Sequence, residues 1–465
     1  MKPGLVAFVL VAAIALVIVS TQTGEQQVSL VVTNGIVVTM DGAGRVIANG
    51  AIAVDGADIV AVDTTDAITR RYRGSETVDA GGQVVLPGLI NTHTHAPMVL
   101  FRGLADDLAL MEWLTKYIFP AEAKTVSPEF VRAGTRLAAL EMIQSGTTTY
   151  ADMYYFEEEI ANETKAAGLR GVLGQTIIQF PVADAKTPAD ALTRAEAFIT
   201  AFKGDPLITP AVAPHAMYTL DGATLMAARG LAMRHGVPTL IHLAETRDEV
   251  KVAQDRYKAS PVGYLDRLGF LGAGVLAAHG VWVSEPEIAI LRQRGVGVSH
   301  NPESNMKLAS GTAPVPGYLA SGVAIGLGTD GAASNNDMDM FEAMRTASLL
   351  HKLQTGDPQA VGARTALEMA TIGGARALGM GDRLGSLEPG KRADLIVVSM
   401  ASARQTPMYD PISHLVYTSR GGDVRTTIVH GKVLMRERKM LTLNEASVLA
   451  DARAWGEKNR GLFTN

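Results

Sequence analysis

The stretch Val84–Pro97, VVLPGLINTHTHAP, decides how this chain is read. Apolar and β-branched residues, entered through Leu86-Pro87-Gly88, run up to His93-Thr94-His95 and predict a buried strand with two histidines at its carboxyl end. Residues i and i+2 of a strand point to one face, so the two imidazoles project side by side. That spacing suits chelation of one metal ion. Alone the pair decides little, because packing histidines share the spacing about as often.

Downstream, strand-like and helical segments alternate. TTTYADM (147–153), GLRGVLGQTI (168–177), LITPAVAPH (207–215), VPTLIHLAE (237–245), VLAAHGVWV (275–283), GVGVSHNP (295–302) and VAIGLGTDG (323–331) read as strands. Ser127-Pro128-Glu129 starts a helix with an N-cap and a proline at its first position. Thr187-Pro188 opens another, a third runs from about Asp221 to His235, and Ser284–Glu287 is a capping box. Eight strands separated by helices over about 300 residues have the size and rhythm of a (β/α)₈ TIM-type barrel, placed at 86–384. A doubly wound open sheet is the alternative, but no Gly-rich dinucleotide fingerprint follows the first strand.

Either side of the barrel the texture is all β. Asp41-Gly42 and Asp55-Gly56 punctuate short β-branched runs before Val85, and LIVVSM and TTIVHGKVLM follow Gly390–Asp394. The expectation is a small β-sandwich domain made by both chain ends, 28–85 and 385–440, with a helical segment at 441–465. The class is therefore α/β.

Lys2 precedes fifteen apolar residues, Leu5–Val19, and then a polar stretch to Gln27. As a helix this run spans roughly 22 Å, short for a bilayer of about 30 Å, and it fits a signal-peptide core. With no obvious small-residue cleavage site, an uncleaved membrane anchor is the rival. Segment 1–27 is thus expected to place the protein in the periplasm, outside the cell, or tethered to the membrane. A net charge of −5 and no Lys/Arg cluster leave no footprint for nucleic acid. The absence of cysteine excludes thiolate ligands and nucleophiles, leaving His, Asp and Glu to hold a metal.

Barrel enzymes carry their chemistry at the carboxyl ends of the strands. The polar residues falling there are His93, His95, Asp152, His215, His242, Glu245, His279, His300 and Asp330. His351, His414 and His430 fall on presumed helix or loop surfaces. Imidazoles do not gather at one rim by accident, and no strand-end lysine offers a carbamate bridge, so one divalent metal is expected. His93, His95, His242 and Asp330 form a nitrogen-rich set with one carboxylate, which suits Zn²⁺ and also admits Fe²⁺.

Long segments sharpen this reading. PGLINTHTHAPMVLFRGLADDL, the PAE of 120–122, PHAMYT, IHLAET, AAHGVWV, SHNPESNMKLASGTAPV, GTDGAASNNDMDMFEAMR and GSLEPGKRADLIVV resemble the amidohydrolase superfamily, in its branch of methylthioadenosine/S-adenosylhomocysteine deaminases and s-triazine hydrolases. The resemblance implies metal ligation by His93, His95, His242 and Asp330. It implies proton shuttling by Glu245, orientation of the attacking water by His279, and uptake of that water's proton by Asp330. Glu122 resembles the glutamate that contacts ribose hydroxyls and His215 a pocket histidine that bonds the base, while Trp113 lies on a pocket-edge helix. Such enzymes are often dimers or tetramers.

Members acting on S-adenosylhomocysteine carry arginines near the third strand; here Gln175 stands about there, and 177–186 has none. The expected substrate is therefore an uncharged adenosine-type nucleoside or a free heterocycle, deaminated by hydrolysis. Loss of chloride or an alkylamine from a triazine is the rival reaction. A non-catalytic exported purine or metal receptor is the rival of another class. Glu157–Glu159 reads as a solvated helix start, and His300 as shaping the SHNP turn.

Overall fold

A computed structural model describes residues 25–460 and 462. The expected leader lies outside the described residues except for Glu25–Gln27, and Gln26 already begins the first strand. Among the described residues no helix is long and apolar enough to cross a membrane.

Two sheets organise the chain. The first contains β1 (Gln26–Val38), β2 (Val46–Asp55), β3 (Asp58–Thr64), β4 (Tyr72–Asp79) and β5 (Val84–Pro87). The second contains β6 (Leu89–Thr94), β7 (Thr147–Tyr154), β8 (Arg170–Ile177), β9 (Ile208–Pro214), β10 (Thr239–Leu243), β11 (Val275–His279), β12 (Gly297–His300) and β13 (Ile325–Leu327). The chain then returns to the first sheet with β14 (Leu395–Val398), β15 (Val424–Val429), β16 (Lys432–Arg436) and β17 (Lys439–Met440). Hydrogen bonds join the nine outer strands in the order β17-β16-β15-β14-β5-β1-β2-β3, with β4 on β1. Both chain ends thus build one unit.

β6 to β13 run parallel, each beside its sequence neighbour. Helices cover them, so β7 and β8 are buried along their whole length, as strands covered on both faces must be. The first and last strands close through side chains: Thr92 Oγ1 donates to the Leu327 carbonyl at 2.8 Å, and Asn91 Nδ2 to Thr329 Oγ1 at 2.7 Å. The result is a nearly closed (β/α)₈ barrel.

The stretch read as a single strand is two. Val84–Pro87 pairs with β1 and β14, whereas Leu89–Thr94 opens the barrel. Gly88 makes the step between sheets; a Cβ there would sit 2.1 Å from Thr148 Cγ2. Nearby, the Arg170 guanidinium donates to both Asp394 oxygens, at 2.9 and 3.2 Å, and Asp394 also accepts the His430 N–H. This buried fork fastens the returning GKRAD segment to the barrel's amino-terminal end.

Two other expectations change. Glu157 is buried and accepts the Tyr154 N–H at 2.8 Å, because the helix Glu157–Ala167 starts over the end of β7 with its first carboxylate turned inward. Glu158 and Glu159 stay at the surface, paired with Arg194 and Arg132. His351, expected at a surface, is buried on the inner face of Met340–Thr355, 3.1 Å from His300 Nε2.

Candidate active site

At the carboxyl ends of β6 and β13, His93, His95 and Asp330 bring ligand atoms within 4.8 Å of one another, and His242, at the end of β10, adjoins them through His95. His93 Nε2 and His95 Nε2 each lie 3.4 Å from Asp330 Oδ1, and His95 Nε2 lies 3.3 Å from His242 Nε2. Two bonds settle which ring nitrogens face inward. His95 Nδ1–H donates to the Met153 carbonyl at 2.6 Å, and His242 Nδ1–H donates to the His215 carbonyl at 2.9 Å. Each ring therefore turns the lone pair of its Nε2 toward the other. His93 Nε2 is buried without a hydrogen-bond partner.

Facing lone pairs at 3.3 Å and an orphaned imidazole nitrogen repel or go unsatisfied unless a cation lies among them. Atoms held about 2.1 Å from a common tetrahedral centre stand roughly 3.4 Å apart, which matches the His93–Asp330, His95–Asp330 and His95–His242 pairs. The donor set fits a divalent metal. Burial holds His93 neutral, with its pKa pulled down to about 4, and keeps His242 well below its ordinary value. Burial alone would raise Asp330, but the surrounding imidazoles outweigh it and hold the carboxyl ionised.

The backbone around these groups is braced. Asp152 Oδ1 accepts the Thr94 hydroxyl and the Ala96 N–H, at 2.6 and 2.5 Å, gripping the chain on both sides of His95. Asp330 Oδ2 accepts the Ser304 hydroxyl at 2.6 Å. Ala244, His279 and Asp330 all take positive φ, at 52°, 74° and 63°, a conformation that costs a residue with a Cβ about 1–2 kcal/mol.

Beside the metal-ligand set, Glu245 Oε2 lies 3.8 Å from His279 Nε2, and Glu245 Oε1 accepts the Ser310 hydroxyl at 3.2 Å. His279 Nδ1–H donates to Asn305 Oδ1 at 2.9 Å, leaving Nε2 aimed at the carboxylate. Burial pushes the Glu245 carboxyl up. Burial would lower His279, but the Glu245 and Asp330 carboxylates hold it raised. A carboxyl raised by burial thus faces an imidazole raised by its carboxylate neighbours.

These groups form the floor of a pocket of about 590 Å³, open mouth included. Its walls are Met98, Leu110, Trp113, Leu114, Ile118 and Phe119 on one side and His215, Tyr218 and Leu308 on the other. Glu122 enters from the helix Phe119–Thr125, and burial raises its carboxyl to about 7. Trp113 Nε1 is buried with no hydrogen-bond partner, a donor available to a ligand. Of the residues that the resemblance assigns to the site, Trp113, Glu122, His95, His215, His242, Glu245, His279 and Asp330 line this pocket and His93 adjoins it, 3.4 Å from Asp330. The strand-end Asp152 and His300 do not line it. Asn305 and Ser310, in the SNMKLAS segment, were missed; the segment counted only toward the family resemblance, and no single residue of it was singled out.

Residues 84–434 match the amidohydrolase family. A 5-methylthioadenosine/S-adenosylhomocysteine deaminase of Syntrophobacter fumaroxidans is 49% identical over 430 residues, covering 92% of this chain and 98% of that protein. A 5'-deoxyadenosine deaminase of Methanosarcina acetivorans is 46% identical over 431 residues, with the same coverage. The crystal structure of an adenosine deaminase from Xanthomonas campestris with bound zinc superposes with a TM-score of 0.92 at 40% identity, covering 94% of this chain and all of that one.

Proposed function

Because this chain belongs to the amidohydrolase family, we propose that its rim of imidazoles and carboxylates hydrolytically deaminates an uncharged adenosine-type nucleoside. One observation carries the reading: the convergence of His93, His95, His242 and Asp330 beside a raised Glu245 carboxyl that faces His279. These four residues would hold one divalent cation, Zn²⁺ on the nitrogen-rich donor set, and metal analysis of the purified protein distinguishes it from Fe²⁺. Such a cation supplies the Lewis acidity that lowers the pKa of water to about 7.

The chain's own groups then handle the protons. Asp330 accepts one from the attacking water. Glu245, protonated, gives its proton to the ring nitrogen next to the amine-bearing carbon, so that the ring can take up the electron pair as the new C–O bond forms. Glu245, now a carboxylate, regains a proton from the new hydroxyl, the proton held by Asp330 passes by way of His279 to the amine, and ammonia leaves as the carbonyl forms. Water and the amine are consumed; the product carries oxygen in place of nitrogen.

Substrate identity rests on the walls. Glu122, deep in the pocket, is suited to accept hydrogen bonds from sugar hydroxyls, which a triazine lacks. His215 lines the pocket, its Nδ1 3.0 Å from Thr219 Oγ1, and is placed to meet a bound base. Gln175 is buried and donates to Asp184 Oδ2 at 2.8 Å, and Arg194 Nε lies 3.3 Å from the same carboxylate. Arg194, the cation beside Gln175, is thus engaged by Asp184, which favours 5'-deoxy or thioether nucleosides over one with a carboxylate. The test is ammonia release from methylthioadenosine, 5'-deoxyadenosine, adenosine, guanine, cytosine and aminotriazines. Chloride from a chlorotriazine with no ammonia from any amine would overturn the proposal.

A further inference from the structure

We infer that Glu249 is a positioning residue for the reaction, holding in place the turn that aims Glu245 into the pocket; this rests on the reading of Glu245 as the proton carrier. Glu249 lies in the first turn of the helix Arg247–Tyr257 and is 3% exposed. Its N–H is capped by Thr246 Oγ1 at 3.2 Å. In a capping box a glutamate at this position would reach back to the N-cap N–H. Glu249 reaches further: Oε1 accepts the Ala244 N–H and Oε2 the Glu245 N–H, both at 2.9 Å.

The other face of the same turn is also held. The Ala244 carbonyl accepts the N–H groups of Val281 and Trp282, at 3.0 and 2.8 Å, and the Leu243 carbonyl accepts Gly280 N–H. Val281 and Trp282 lie two and three residues beyond His279, the last residue of β11. One carboxylate and one carbonyl therefore lock the β10 turn against the β11 turn, with Ala244 between them at φ 52°. Without the two acceptor oxygens, the turn keeps only its carbonyl bonds to the β11 turn, the buried Ala244 and Glu245 amides lose their partners, and the left-handed Ala244 is free to relax. The Glu245 carboxyl then drifts from Ser310 and His279.

A purely packing role does not require both oxygens. Glutamine fills the same volume but turns an NH₂ toward one of the two N–H groups, replacing an acceptor with a donor. In metal-replete protein, Glu249→Gln is expected to lower kcat for ammonia release about 50-fold, with KM within threefold and one equivalent of metal retained. Hydrogen exchange should rise at the Ala244 and Glu245 amides. In a Glu245→Gln background, the same change should cost less than twofold, because the residue it positions is already disabled.

An equal loss in both backgrounds, or kcat within twofold of the wild type in the single variant, overturns the inference. If Glu249→Gln is not recovered folded, Glu249→Asp, which keeps the charge but withdraws it by one methylene, is read by the same cycle. A wild-type chain that deaminates no nucleoside defeats the parent reading, and this inference with it. An active wild type with an indifferent Glu249 defeats only this one.

Discussion

At the scale of single residues, the histidine rim was open to reading because strand ends are a defined place in a barrel and few residue types ligate metals without cysteine. What could not be read was the bracing. Asn305 and Ser310 meet partners far away in sequence, and only folding shows that Ser310 reaches Glu245; Glu249 sits close to its partners in sequence, but at a helix start where an acid is ordinarily a cap. Glu245→Gln keeps the shape but cannot carry the proton; kcat should fall at least about 100-fold while metal content and ligand affinity persist. Activity equal to wild type would remove the proton path.

Glu122 gives a pH signature. Burial raises its carboxyl from 4.5 to about 7, so the folded chain keeps a proton that the unfolded chain has lost between those values. Stability from this group therefore falls as pH rises across that window. Sugar hydroxyls donate best to the ionised form, so KM for a nucleoside should fall as pH rises through about 7. In Glu122→Gln that dependence should vanish. Steady-state kinetics from pH 6 to 8 check both, and a KM that climbs with pH contradicts the role.

At the scale of elements, periodicity identified the barrel strands, and the ends of β7 and β8 lie within about two residues of where alternation put them. The break at Gly88 escaped because both strands are continuously buried and apolar, so no change of pattern marks the passage between sheets. Glu157 escaped for a related reason: three consecutive acids look alike in sequence, and only the docking of the helix over β7 selects which one turns inward. The Arg170–Asp394 fork belongs to this scale. It lies at the opposite end of β8 from the pocket. Asp394→Ala leaves a buried guanidinium unpaired and should lower unfolding free energy by about 3 kcal/mol, with KM unchanged. Chemical denaturation measures it, and an unmoved midpoint would show the fork to be dispensable.

At the scale of the whole molecule, one sheet made from both chain ends clasps a barrel whose open rim holds the chemistry. The Leu5–Val19 run is expected to carry this unit out of the cytoplasm; fractionation of the full chain that finds it wholly cytoplasmic would refute that. Metal removal should abolish turnover while the barrel, whose core does not depend on the ion, keeps its circular-dichroism spectrum. The decisive measurement is ammonia release from methylthioadenosine and 5'-deoxyadenosine by chelator-treated protein before and after one equivalent of Zn²⁺. Turnover that is absent without metal and restored by a single equivalent is expected; undiminished turnover in the stripped protein, or none after reloading, would contradict a reaction built on His93, His95, His242 and Asp330.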